Sequence, residues 1–134
     1  MSRILWHDSY SVGVAKLDEH HQHLAKLINQ LAEQTAAPVH SEQVVNSISE
    51  LIQYAMYHFA HEERLMAEHE FPRHARHCEE HQQFCELIAE TSYGATLGIN
   101  TLDHLLDYLT QWWENHILFE DMQYKPFFAA IGVR

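Results

Sequence analysis

The sequence predicts an all-α protein, an up-down-up-down four-helix bundle preceded by an ordered N-terminal arm. Three observations carry that expectation. Four stretches repeat apolar residues at three- and four-residue spacing, as a helix with one buried face does. The chain has four glycines and three prolines in 134 residues, so there are few places where a long element must end. No segment alternates apolar and polar residues over the length of a strand.

The elements follow in order. The arm, residues 1–17, shows no helical period in "ILWHDSYSVGVAK". The first helix is expected over 18–36, with Asp18 as N-cap and Pro38 beyond its end. Ser41 should cap the second, over 41–69, which stops before Phe71-Pro72 because the residue ahead of a proline disfavours helical geometry. The third is expected over 73–93, with Gly94 and Gly98 marking a loop. The fourth opens at Asn100 or Thr101 and runs over 101–121, and residues 122–134 form a short tail.

Composition narrows the function classes. Residues 1–134 are expected to form one domain, long enough to bury a core without disulfide staples. A formal net charge of −11 argues against nucleic acid or anionic lipid as partners, since both need a basic surface. No run of apolar residues is long enough to cross a membrane, and "MSRILWHDSYSVGV" lacks a signal-peptide core, so a cytoplasmic setting is expected. Cys78 and Cys85 would lie about 10 Å apart along one helix, too far for a disulfide. They read as free, small buried hydrophobes. The abnormal total is thirteen histidines.

Several histidines keep register with the apolar stripes. The second helix gives Val44, Ile48, Leu51, Ala55, His58, Glu62 and Leu65, whereas His61 shares its side with Tyr54 and Tyr57. The third gives His77, His81, Phe84 and Ile88, and the fourth Leu102, Leu105, Leu109, Trp112 and His116. In the first, His20 and His21 each fit an apolar period, and spacing alone does not choose between them. "HFAHEERLM", residues 58–66, is not the zinc-protease pattern His-Glu-x-x-His, because the fifth position from His61 is Leu65. An unpaired carboxylate in a bundle core costs several kcal/mol unless it is neutralised, paired or metal-bound. No lysine or arginine shares these stripes, and every helix turns a histidine inward. Metal is the expected remedy, with His58–Glu62 and His77–His81 placing two donors four residues apart on one face.

Asp18-x-x-His21, His58 and Glu62 of "HFAHEE", His77-x-x-x-His81, and His116 and Asp121 of "HILFED" together resemble the hemerythrin family, specifically its bacterial single-domain members. Trp6, "YSVGV" at 10–14, Phe71-Pro72 and Trp112 add to the resemblance, which covers essentially the whole chain. It implies reversible binding of dioxygen at a non-haem di-iron centre, for oxygen storage, delivery or sensing. His77, His81 and His116 would hold one iron and His21 and His58 the other, with Glu62, Asp121 and an oxo or hydroxo group bridging them. Two octahedral ions so ligated keep a single open position, on the ion with two histidines, as a reactive metal site must. Leu24, Phe59, Trp112, Ile117 and Leu118 are the expected oxygen-pocket walls. Carboxylates or backbone carbonyls should orient the outer histidine nitrogens, with Asp18 and Glu63 as candidates.

Three features stand apart. His116 and Asp121, five residues apart, differ by about 140° on a regular helix, so they share no narrow face unless the helix loosens there. Trp113 replaces a residue that is commonly aliphatic in the family, and His20 directly precedes a ligand position; either is expected to reshape the pocket or trap metal at the surface. The competing functional classes are a di-iron enzyme on the same scaffold (an oxidase, or a nitric oxide or peroxide reductase) and a structural zinc bundle. Ferritin-type oxidases are carboxylate-rich, and zinc favours closed four-ligand sites, so a binding protein rather than an enzyme is expected.

Overall fold

A computed structural model describes residues 3–34, 41–96 and 102–134 of the chain. Four long helices, α1 (Ala15–Ala32), α2 (Glu42–Glu68), α3 (His74–Thr96) and α4 (Leu102–Asn115), are followed by a short α5 (Lys125–Ala130). Each long helix packs on the next, and α1 closes on α4, giving the four-helix bundle; no strand occurs among the described residues.

Helix ends depart from expectation at the start of α1 and the end of α3. α1 begins three residues before Asp18, and Val14 is its N-cap with no side-chain hydrogen bond. Asp18 instead sits in the first turn, where its carboxylate accepts from the Val12 backbone N–H at 2.8 Å and from the Ser11 hydroxyl. It therefore fastens the arm to α1, helped by Gly13, whose φ of 81° lies in the left-handed region. Ser41 caps α2 as expected, accepting from the Val44 N–H. α2 ends with Glu70 at φ 55°, while Phe71 N–H donates to Met66 O and Glu70 N–H to Ala67 O. This is the double-bonded helix terminus that usually carries glycine. Gly94 lies inside α3, not in a loop, because the helix runs on to Thr96. Pro38, Gly98, Asn100 and Thr101 fall outside the described residues.

The arm lies across the bundle. The Asn29 side chain accepts from the backbone of Arg3 and Ile4 and donates to Ile4 O, so one amide pins the strand-like start of the chain. Trp6 and Tyr10 meet the Trp113 ring edge-on. The tail is not featureless: Pro126 stands in the first turn of α5, and Tyr124 and Phe128 are fully buried.

The interior is divided. A large apolar cluster, which includes Leu24, Phe59, Phe84, Trp113 and Ile117, fills one end. A smaller one, of Val12, Val14, Leu17, Met66, Phe71, Tyr124 and Phe128, fills the other. Between them lies a layer of buried polar side chains: His20, His21, His58, Glu62, His77, His81, His116 and Asp121. Leu65, expected on the inner stripe, is half-buried, and Met66 takes the core position.

Candidate metal centre

Each helix supplies part of this layer through its own spacing. α2 places His58 and Glu62, and α3 places His77 and His81, one turn apart on inward faces. α4 gives way at Asn115 to a π-helical turn over His116–Glu120. There the Asp121 N–H donates to His116 O, closing a five-residue turn. That wider turn brings Asp121 round to the side of His116, and Oδ1 of Asp121 lies 3.0 Å from His116 Nε2. The helix does loosen, at the spacing where a regular one would have swung the carboxylate away.

The donors fall into two groups whose atoms converge. Glu62, His77, His81, His116 and Asp121 form one, and His21, His58, Glu62 and Asp121 the other, with all donor atoms of a group within 4.8 Å of one another. The carboxylates belong to both because each splits its oxygens. Glu62 Oε1 lies 2.6 Å from His77 Nε2 and 3.1 Å from His81 Nε2, while Oε2 lies 3.2 Å from His58 Nε2 and 3.7 Å from His21 Nε2. Asp121 Oδ1 lies 2.8 Å from His77 Nε2, and Oδ2 lies 2.9 Å from His21 Nε2. The sequence-predicted set of five histidines and two carboxylates is thus brought together in one buried cluster.

The electrostatics are those of imidazoles and carboxylates buried against one another. Burial disfavours charge on every member, but the close approach of Asp121 and Glu62 outweighs it at three histidines. His21 and His116 are raised to about 9 and His77 to about 10. Burial wins at His58 and His81, which are lowered. Both carboxyls are held well below the usual carboxylate range: burial opposes the charge, yet the surrounding imidazoles overcome it.

His21 Nε2, His58 Nε2 and both Asp121 oxygens are buried without a partner in hydrogen-bonding geometry, despite the short separations above. Likewise His81 Nε2 faces His116 Nε2 at 3.3 Å. Atoms so placed point at common centres rather than at one another. Neighbouring donors on an octahedral ion with bonds of about 2.1 Å stand about 3 Å apart. The donor set fits two ions.

The surroundings hold both expected and unexpected residues. Phe59 stacks on His81 with ring centroids 3.9 Å apart, and Trp112, half-buried, stacks on His116 at 4.8 Å. Leu24, Phe59 and Ile117 are buried beside the polar layer; Leu118 is half-buried. Glu63 reaches His81 Nδ1 at 3.8 Å, whereas Asp18 is committed to the arm and orients no histidine of the cage. Trp113 is fully buried and donates from Nε1 to the His21 carbonyl at 3.1 Å. Cys78 and Cys85 are free but half-buried rather than buried, and burial with Glu63 nearby pushes the Cys78 thiol up to about 12.

One residue escapes the sequence reading, Tyr124, and one is placed differently from expectation, His20. The Tyr124 hydroxyl donates to Glu62 Oε2 at 3.0 Å. Its signal was the Tyr124–Phe128 spacing around Pro126, a one-turn amphipathic pattern in the supposed tail. His20 is not at the surface: it is 1% exposed, and its Nδ1 lies 2.9 Å from His58 Nδ1. Burial and the neighbouring His58 lower it to about 4.

Comparisons with known proteins agree with this geometry. The family described as the hemerythrin HHE cation binding domain matches residues 12–128. A bacteriohemerythrin of Stenotrophomonas maltophilia (strain R551-3) is 32% identical over 125 residues, spanning 92% of this chain and 80% of that one. A myohemerythrin of Riftia pachyptila is 33% identical over 124 residues, spanning 92% of each. A crystal structure of a hemerythrin point mutant superposes with a TM-score of 0.84 at 23% identity, over 94% of this chain and 97% of that one, which speaks for the fold. With the donor cluster lying inside the matched span, the chain belongs to the hemerythrin family.

Proposed function

We propose that this protein binds dioxygen reversibly at a non-haem di-iron centre, for oxygen storage, delivery or sensing. The observation that carries the reading is the division of each carboxylate between a three-histidine and a two-histidine group. His77, His81 and His116 would hold one iron and His21 and His58 the other, with Glu62, Asp121 and an oxo or hydroxo group bridging both. When bound, a ferrous pair supplies the two electrons and the open position that dioxygen binding requires.

The chain's own residues then have separable tasks. The unequal histidine count leaves the His21–His58 side one protein donor short, which makes it the side for an exogenous ligand. Leu24, Phe59 and Ile117, with Trp112 and Leu118 at the margin, would form the walls of the oxygen pocket. Tyr124 holds Glu62 through its hydroxyl, and Trp113 fixes the backbone of His21. A donor set of five imidazoles to two carboxylates differs from the carboxylate-rich oxidase sites. It also exceeds what one four-coordinate zinc needs.

Optical spectra of reduced protein, with and without air, test the reading together with metal analysis. The expected result is two irons per chain and a charge-transfer band that appears with oxygen and bleaches on its removal. Prompt irreversible oxidation with peroxide release would favour a di-iron enzyme, and one zinc per chain would overturn both.

A further inference from the structure

The contact between His20 and His58 has no counterpart among the other histidines of the cage. His58 turns Nε2 toward Glu62 and the centre, so its remaining proton belongs on Nδ1. Nδ1 of His20 lies 2.9 Å away, and two ring nitrogens at that distance share one proton. His58 is therefore the donor and His20 the acceptor, which places the His20 proton on Nε2. Nε2 is buried with no hydrogen-bond partner among the described residues, while the edges of Tyr54, Tyr57 and His61 enclose the ring. At His81 the outer neighbour is acidic but not bonded: Glu63 Oε1 lies 3.8 Å from Nδ1, beyond hydrogen-bonding distance.

We propose that His20 is a positioning residue that locks the tautomer and ring orientation of His58 and, as a neutral acceptor, keeps the two-histidine metal position less electron-rich than a carboxylate partner would. The proposal rests on the di-iron reading above. An anionic acceptor draws the imidazole proton outward and raises the basicity of the ligating nitrogen; an uncharged imidazole does so less. The ion held by His21 and His58 is thereby biased toward its reduced form, the form that takes up oxygen. One side of the cage is tuned by its outer partner while the other keeps an acidic neighbour.

The test uses the full-length protein and three variants: His20→Leu, His20→Gln and His20→Glu. Ferrous ion is titrated against a competing chelator. His20→Leu should bind one of its two ions about 10–100-fold more weakly, and His20→Gln, which keeps an acceptor oxygen, should recover most of that loss. His20→Glu should lower the midpoint potential of the iron-loaded protein. Zinc-loaded protein serves as a diamagnetic probe, in which nitrogen-15 NMR should place the His58 proton on Nδ1 in the wild type. Wild-type affinity for both ions in His20→Leu, a failure of Gln to rescue, a potential unmoved in His20→Glu, or a His58 proton on Nε2 would each overturn the proposal. A wild type that takes up only one iron would instead overturn the di-iron reading, while the NMR assignment still decides the His20 contact.

Discussion

Replacing Tyr124 by phenylalanine removes a single oxygen atom and keeps the ring. That ring packs against Phe71 and Phe128 and is fully buried, so its apolar contacts survive. What is lost is the hydrogen bond to Glu62 Oε2 at 3.0 Å. A bond to a charged group is worth about 1.5–3 kcal/mol, and a buried acceptor left without its donor costs on the same scale. The His21 imidazole, raised in pKa and with Nε2 3.7 Å from Oε2, still offsets the carboxylate charge, so the loss belongs at the lower end. About 1.5 kcal/mol is expected, a tenfold change in the folding constant. For a urea slope of about 2 kcal/mol/M, the midpoint of the metal-free protein should fall by about 0.7 M with the slope unchanged. An unshifted midpoint would show that the hydroxyl does not hold the carboxylate, and that the tail is spectator to the cage.

Other expectations follow from the same geometry. His116→Ala should lose iron and destabilise the bundle, whereas His61→Ala, off the donor set, should keep its iron by elemental analysis. Trp113→Leu should cost about 3 kcal/mol in chemical denaturation, combining a cavity with the lost bond to the His21 carbonyl. Glu70→Gly should stabilise the protein by about 1 kcal/mol in the same assay, because a β-carbon is strained at φ 55°. In metal-free protein His21, His77 and His116 are raised to between about 9 and 10, against about 6.5 when unfolded. Their stabilisation is complete below pH 6.5 and disappears as pH climbs through 9 to 10. Denaturant midpoints should decline over that window without metal, and a midpoint that rises with pH would contradict the assignment.

The bundle and most of its centre were legible because both are written in helical spacing. His58 with Glu62, and His77 with His81, interrupt apolar stripes at a fixed turn, which pattern reading detects directly. His20 and His21 were ambiguous because neighbours on a helix differ by about 100°. Both prove buried, since the side of α1 facing α2 and the side facing the centre are adjacent. Asp121 was found by motif although regular geometry opposed it; nothing in "HILFED" announces a π turn, which depends on what the bundle holds at either end of it. Tyr124 escaped because a six-residue helix has too short a period to stand out from a tail.

The division of the interior has a thermodynamic corollary. A continuous oily core lets a bundle survive the loss of any one layer, because its neighbours remain in contact across the gap. Here the apolar regions meet across a polar seam, so cohesion between the two ends passes through the imidazoles and carboxylates of that seam. Ions seated there would act as rivets between two half-molecules, and stripping them should uncouple the halves before it melts either one.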